Sequence, residues 1–247
     1  MAAVTLLQTS GLCKNFGGLQ ALRQVDFRIA GGEIRAIIGP NGAGKTTLVN
    51  VIAGRIRPSD GRVAFKGRDI TRLRDWERVN RGIVYTFQVT SIYRNLSCYE
   101  NVALAAQRRL MGGPIDRVSL GEQRIAEAVE AALGRVGLAG RMDRQAGELP
   151  YGHQRLLEVA MGLTLEPELL ILDEPTQGLA QQEISEFCEL IRSIAKAATV
   201  LLIEHNMSVV MELAETVTVM DQGEIIAEGT PAEIERHPEV QRAYLGK

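Results

Sequence analysis

"EIRAIIGPNGAGKTTLVN", Glu33 to Asn50, decides the fold. Its first half is an apolar run of strand character that ends at a glycine. Its second half matches G-x-x-x-x-G-K-[ST] over Gly39 to Thr46, and residues of helical character follow. In that context Gly39, Gly42 and Gly44 let the backbone bend until its N–H groups converge on phosphate oxygens, and the positive end of the helix beginning near Lys45 adds to them. Pro40, Asn41, Ala43 and Thr47 complete the loop. The Lys45 ammonium suits the β and γ phosphates, and the Thr46 hydroxyl suits Mg2+. A glycine turn that carries a lysine by chance does not account for the flanking strand and helix. The stretch predicts a nucleoside triphosphate site.

"LLILDEP", Leu169 to Pro175, supplies the other half. An apolar strand ending in a carboxylate puts Asp173 at the carboxyl edge of a sheet, beside the phosphate loop, where it can support Mg2+ through water. Glu174 points differently and suits a general base that polarises an attacking water. "VLLIEH", Val200 to His205, is a second continuous apolar run of the kind found in buried parallel strands. The helix between the two carries Ile184, Phe187, Cys188, Ile191, Ile194 and Ala195 on one face. Strand, helix, strand predicts an α/β core.

Residues 1 to 38 alternate around Gly17, Gly18, Gly31 and Gly32, which predicts a short antiparallel meander, and "GRVAFKGRDI" (61 to 70) predicts another strand. From about 101 to 165 the pattern is helical, with Ile125, Ala126, Val129, Ala132, Leu133 and Val136 at helix spacing and a capping-box pair in Ser119 and Glu122. "TVTVMDQGEIIAEG" (216 to 229) predicts a hairpin turning near Asp221 to Gly223, followed by a short polar helix. The expected organisation is one domain over residues 1–247. Residues 1–88 and 166–247 form the core with its β subdomain, and a helical insertion covers about 89–165.

A hydrophobic content of 45% suffices for a buried core, and a net charge of −2 with interleaved signs argues against nucleic acid as a partner. No apolar stretch approaches the roughly 18 residues that cross a bilayer, and the first residues lack a basic region ahead of their short apolar run. Neither a membrane span nor an export signal is expected. Cys13, Cys98 and Cys188 are odd in number and lack metal-ligand spacing, consistent with a reducing cytoplasm.

Together these motifs resemble the nucleotide-binding subunits of ATP-binding cassette transporters, with a P-loop NTPase (RecA-like) core, an antiparallel β subdomain and an inserted helical subdomain. The resemblance implies ATP and Mg2+ as cofactors and a role for each matching position. Phe16 in "CKNFGGLQAL" matches the aromatic that stacks on adenine, and Gln88 in "VYTFQ" matches the glutamine that senses Mg2+ and the γ phosphate. His205 matches the switch histidine, and Gln177 to Ala180 match the loop that crosses between subunits. "LPYGHQR" (149 to 155) aligns with the family signature, so Pro150, Tyr151, Gly152, His153 and Gln154 are expected to act on the ATP of a paired second subunit. Pro150 stands where the family commonly has serine, and Ala180 where it has Asp or Asn. The positions acting on the chain's own ATP, Lys45, Thr46, Gln88, Asp173, Glu174 and His205, are intact.

The signature variant followed by "LLEVAMGL", the stretch "LLIEHNMSVVMELAETVTVMDQGEIIAEGTPAEI" and the tail "VQRAYLGK" are similar to the larger ATPase subunits of branched-chain amino acid importers. That likeness implies a membrane permease, an indirect extracytoplasmic solute-binding protein, and a peripheral place on the cytoplasmic face of the inner membrane. Urea, amides, a lipid or polysaccharide exporter, and a non-transport cassette ATPase remain as alternatives.

Overall fold

In the computed structural model, which describes residues 4–86, 91–110 and 120–245 (backbone alone at 120 and 243–245), the chain opens with a long hairpin, β1 (Thr5–Phe16) and β2 (Leu19–Ala30). Strand β3 (Ile34–Ile38) runs into the glycine loop, and α1 (Lys45–Ile52) follows. The meander expected over residues 1 to 38 is therefore cut short. β3 leaves the hairpin and pairs in parallel with strands more than 150 residues away. Its sequence explains the departure, because Ile34 and Ala36 to Ile38 are all buried, which requires cover on both faces.

The single strand expected over 61 to 70 is a hairpin of β4 (Asp60–Phe65) and β5 (Arg68–Asp69). Lys66 and Gly67 both take positive φ, 52° and 72°, and turn the chain back on itself. After α2 (Asp75–Val79) and β6 (Ile83–Thr86) come α3 (Cys98–Leu110), α4 (Leu120–Arg135) and α5 (Tyr151–Leu163). Then β7 (Leu169–Asp173), α6 (Gln181–Ala195), β8 (Thr199–Ile203) and α7 (Met207–Leu213) alternate. A hairpin of β9 (Thr216–Asp221) and β10 (Glu224–Gly229), then α8 (Pro231–Glu235) and α9 (Pro238–Leu245), complete the chain. Ser119 of the expected capping box lies outside the described residues.

Two sheets result. One has the order β2-β1-β4-β5, and the other β10-β9-β3-β8-β7-β6, parallel except for β10. The apolar runs of β7 and β8 divide by alternation between the faces of the large sheet. Leu170, Leu172, Val200 and Leu202 pack with the helical residues Val102, Val129, Leu133, Leu157, Phe187 and Ile191. Leu169, Ile171, Leu201 and Ile203 pack on the other side with Leu48 and Ile52 of α1 and with Leu7, Phe27 and Val63 of the small sheet. The large sheet is thus a middle layer with the glycine loop at its carboxyl edge.

Candidate active site

The phosphate loop is shaped by close approaches that only glycine permits. At Gly39, with φ 152°, a Cβ would stand 2.1 Å from the Met220 carbonyl oxygen of β9. At Gly44, φ 100°, it would meet the Ala21 oxygen of β2 at 2.7 Å. Gly44 is also the N-cap of α1, so the first-turn N–H groups of that helix have no intrahelical carbonyl and are left for a ligand. The loop, Asn41 to Thr47, lines a cavity of about 580 Å³ together with Phe16, Glu174 and the β9–β10 turn. Asn41, Gly42 and the Thr46 side chain are exposed to it.

Lys45 is buried, and its ammonium donates to the carbonyls of Gly39 (2.6 Å) and Pro40 (3.0 Å). Burial lowers its pKa, opposed by the charges of Glu174 and Asp173. Phe16 ends β1 at the mouth of the cavity, 48% exposed, with the Lys14 ammonium 4.9 Å from its ring centroid. A flat, half-exposed ring there is free to take a heteroaromatic partner on its other face.

At the end of β7, Asp173 is 1% exposed and one carboxylate oxygen, Oδ2, accepts a 2.7 Å hydrogen bond from the Tyr85 hydroxyl of β6. Its Oδ1 is buried and has no hydrogen-bond partner among the described residues. Burial raises this carboxyl, and the Tyr85 bond opposes the shift. A buried carboxylate oxygen without a partner and an exposed threonine hydroxyl are the oxygen donors that a hydrated divalent cation takes. Among the described residues no cluster of His, Cys, Asp and Glu could hold a metal by itself.

Glu174 leaves the strand with φ 48°, a left-handed turn that separates its side chain from that of Asp173. Its amide donates to the Ile203 carbonyl at 2.9 Å, and its Oε2 lies 3.1 Å from His205 Nε2. The structure brings the loop lysine, both carboxylates and the histidine together at one end of the sheet. Gln88 lies outside the described residues.

The signature residues lie apart from this cavity. Gly152 and His153 line a second one, of about 390 Å³, between α4, α5 and α6. Pro150 is the N-cap of α5 and supplies no side-chain acceptor. Tyr151 is 43% exposed and packs over Gly178, whose added Cβ would be 3.2 Å from the ring, which joins the signature to the crossing loop. His153 Nδ1 accepts from Arg141 at 2.9 Å, and burial, then Arg141, lowers its pKa. Gln154 is buried and donates to the Leu149 carbonyl at 2.8 Å, so its amide is committed within its own chain. Ala180 is the N-cap of α6 and has no side-chain acceptor, and Glu183 accepts the Ala180 N–H at 2.8 Å.

Three residues escaped sequence reasoning. Tyr85 holds Asp173. Arg155, paired with Glu158 at 2.8 Å and buried, reaches from the signature helix to the Glu174 carbonyl at 3.4 Å. Glu204 is buried beside His205. The only signal each leaves in the sequence is a polar group inside an otherwise apolar stretch.

Residues 22–177 match the family model described as ABC transporter, and residues 224–247 match that described as branched-chain amino acid ATP-binding cassette transporter. Over 98% of both chains the protein is 38% identical to the high-affinity branched-chain amino acid transport ATP-binding protein LivG of Salmonella typhimurium. It is 36% identical, again over 98% of each, to BraF of Pseudomonas aeruginosa, which carries the same description. A crystal structure of a nucleotide-free ATP-binding cassette from an ABC transporter superposes with a TM-score of 0.85 at 31% identity, covering 99% of this chain and 100% of that one. With these matches and a phosphate loop closed by Asp173, Glu174 and His205, the chain belongs to the ATP-binding cassette transporter family. It is a nucleotide-binding ATPase subunit of that family. No helix among the described residues is long and apolar enough to cross a membrane.

Proposed function

We propose that the chain is the ATPase subunit of an importer of branched-chain amino acids, seated on the cytoplasmic face of the inner membrane against permease subunits. The observation carrying the solute class is the match of residues 224–247 to a family model specific to branched-chain amino acid cassettes. Full-length identity to transport proteins of that description supports it.

In this reading the loop N–H groups and Lys45 take the β and γ phosphates of ATP, and Phe16 stacks on adenine. Lys45 exchanges its carbonyl partners at Gly39 and Pro40 for phosphate oxygens. Thr46, Asp173 and Gln88 would hold Mg2+, whose charge supports the phosphate oxygens during transfer. Glu174 accepts the proton of the attacking water. His205, 3.1 Å from Glu174, is placed to turn from that contact to the γ phosphate and so to register its presence. Two cassette subunits close head to tail, and the partner's ATP meets Pro150 to Gln154. The residues from about 89 to 165 dock on a cytoplasmic permease loop, and Tyr93, 59% exposed near the start of this segment, offers an amphipathic anchor for it.

Glu174→Gln keeps shape and removes the base, so ATP turnover is expected to fall by roughly a hundredfold or more with ATP still bound. Near-normal turnover overturns the assignment of the base. Uptake of labelled leucine, compared with labelled urea, in cells with and without the gene tests the solute. Loss of urea uptake with leucine uptake intact overturns that part.

A further inference from the structure

The buried carboxylate of Glu204 has no part in the mechanism above, yet it joins three pieces of the site. Glu204 follows the last residue of β8, donates its amide to the Ile37 carbonyl at 3.4 Å, and is 2% exposed. Its Oε1 accepts from the Thr176 amide at 3.1 Å and from the Thr176 hydroxyl. Its Oε2 accepts from the amides of His205 (3.0 Å) and Asn206 (3.1 Å). Four donors converge on one carboxylate, two from the turn after Glu174 and two from the turn carrying His205. With the His205–Glu174 contact at 3.1 Å this closes a ring: base, following turn, Glu204, histidine, base.

A buried carboxylate without these donors is costly, and the donors without it are orphaned, so the two turns are held in one relative position. A side-chain contact of 3.1 Å depends on that position to a fraction of an ångström. We propose that Glu204 is a positioning residue for ATP hydrolysis: it fixes the His205 backbone so that the imidazole meets Glu174, and it sets the root of the crossing loop from Thr176 onward. The proposal rests on the ATPase reading of Glu174 and His205. No neutral side chain replaces this arrangement. Glutamine offers one accepting oxygen, and its NH2 faces the donors of either Thr176 or the His205–Asn206 pair.

The test measures ATPase rate and affinity for a fluorescent ATP analogue in the full-length chain. The variants are Glu204→Gln, Thr176→Val, His205→Ala and the Glu204→Gln/His205→Ala pair, with Glu174→Gln as control. Glu204→Gln is expected to lower kcat roughly ten- to a hundredfold through misplacement of the histidine. Nucleotide affinity stays within about twofold, and the double variant is no more than about twofold slower than His205→Ala alone, because both substitutions act on one unit. Wild-type turnover in Glu204→Gln, or losses that multiply in the double variant, overturns the proposal, since a residue that only stabilised the fold would act independently of His205. If Glu204→Gln fails to fold, Thr176→Val decides: it removes one donor, and a several-fold loss of kcat at unchanged affinity is expected. A wild-type rate in Thr176→Val then overturns the proposal. Full turnover in Glu174→Gln overturns the assignment of Glu174 as the base and this inference with it, whereas an inactive Glu174→Gln beside a fully active Glu204→Gln overturns the inference alone.

Discussion

Arg78 is the largest fully buried side chain among the described residues, and it holds the far end of the helix that starts at Lys45. Its guanidinium donates to the carbonyls of Val51 (2.7 Å) and Ile52 (2.6 Å) in the last turn of α1, and to Thr71 (3.1 Å) and Leu73 (3.2 Å). The Val51 carbonyl also accepts from the Gly54 amide at 3.1 Å, and a cation beside these last carbonyls complements the helix dipole. Burial pushes the guanidinium down to about 10, so it is still charged at neutral pH. Arg78→Met is expected to cost about 3 kcal/mol or more in urea unfolding, because it strands buried carbonyls. A loss under about 1 kcal/mol would show that water replaces the guanidinium. Nothing in "RLRDWERVNRG" distinguishes this arginine from Arg72, Arg74 or Arg81. Its role is set by tertiary neighbours, as are those of Tyr85 and Glu204. Lys45, Asp173 and Glu174 were legible because their placement follows from the strand and loop immediately next to them.

Among the elements, the β9–β10 turn has the widest reach. Gly223 donates to the Ala43 carbonyl at 3.0 Å and accepts from the Arg23 amide at 2.8 Å, so the turn ties the phosphate loop to the hairpin carrying Phe16. Gly223 has φ 83°, and a Cβ on it would come within 2.7 Å of the Ala21 oxygen. Gly223→Ala is expected to cost about 1–3 kcal/mol from strain and overlap. Displacing Phe16 from the loop should weaken ATP binding several-fold more than it weakens binding of tripolyphosphate, which has no adenine. Equal losses for both ligands, read by calorimetry, would place the damage in the loop instead. The turn itself was legible from "DQG", as β7 and β8 were from their apolar runs. Their partners were not. Alternation shows that β3 needs two covered faces, but pairing with β8 and β9 is chosen by packing across the whole chain.

At the scale of the molecule, the cavity of the phosphate loop and the signature end of α5 are separate. In the function proposed above, the signature acts on a second subunit's nucleotide, and here it arrives with Pro150 in place of a donor. Pro150→Ser supplies a hydroxyl and an N–H at that point. In a Glu174→Gln background, which holds ATP unhydrolysed, it is expected to tighten ATP-dependent self-association roughly tenfold, the value of one added hydrogen bond to a charged group. Unchanged association in sedimentation would mean that residue 150 does not face the nucleotide. The order of strands has a further consequence for how the protein is made. β3, which carries the loop, lies between β8 and β9, and Gly39 is shaped against Met220. A ribosome releases the N-terminal third of the chain long before those neighbours exist, so the loop emerges as a sequence without a shape. The nascent chain acquires its ATP site only when nearly all of it has been synthesised, and an unfinished chain cannot hold nucleotide.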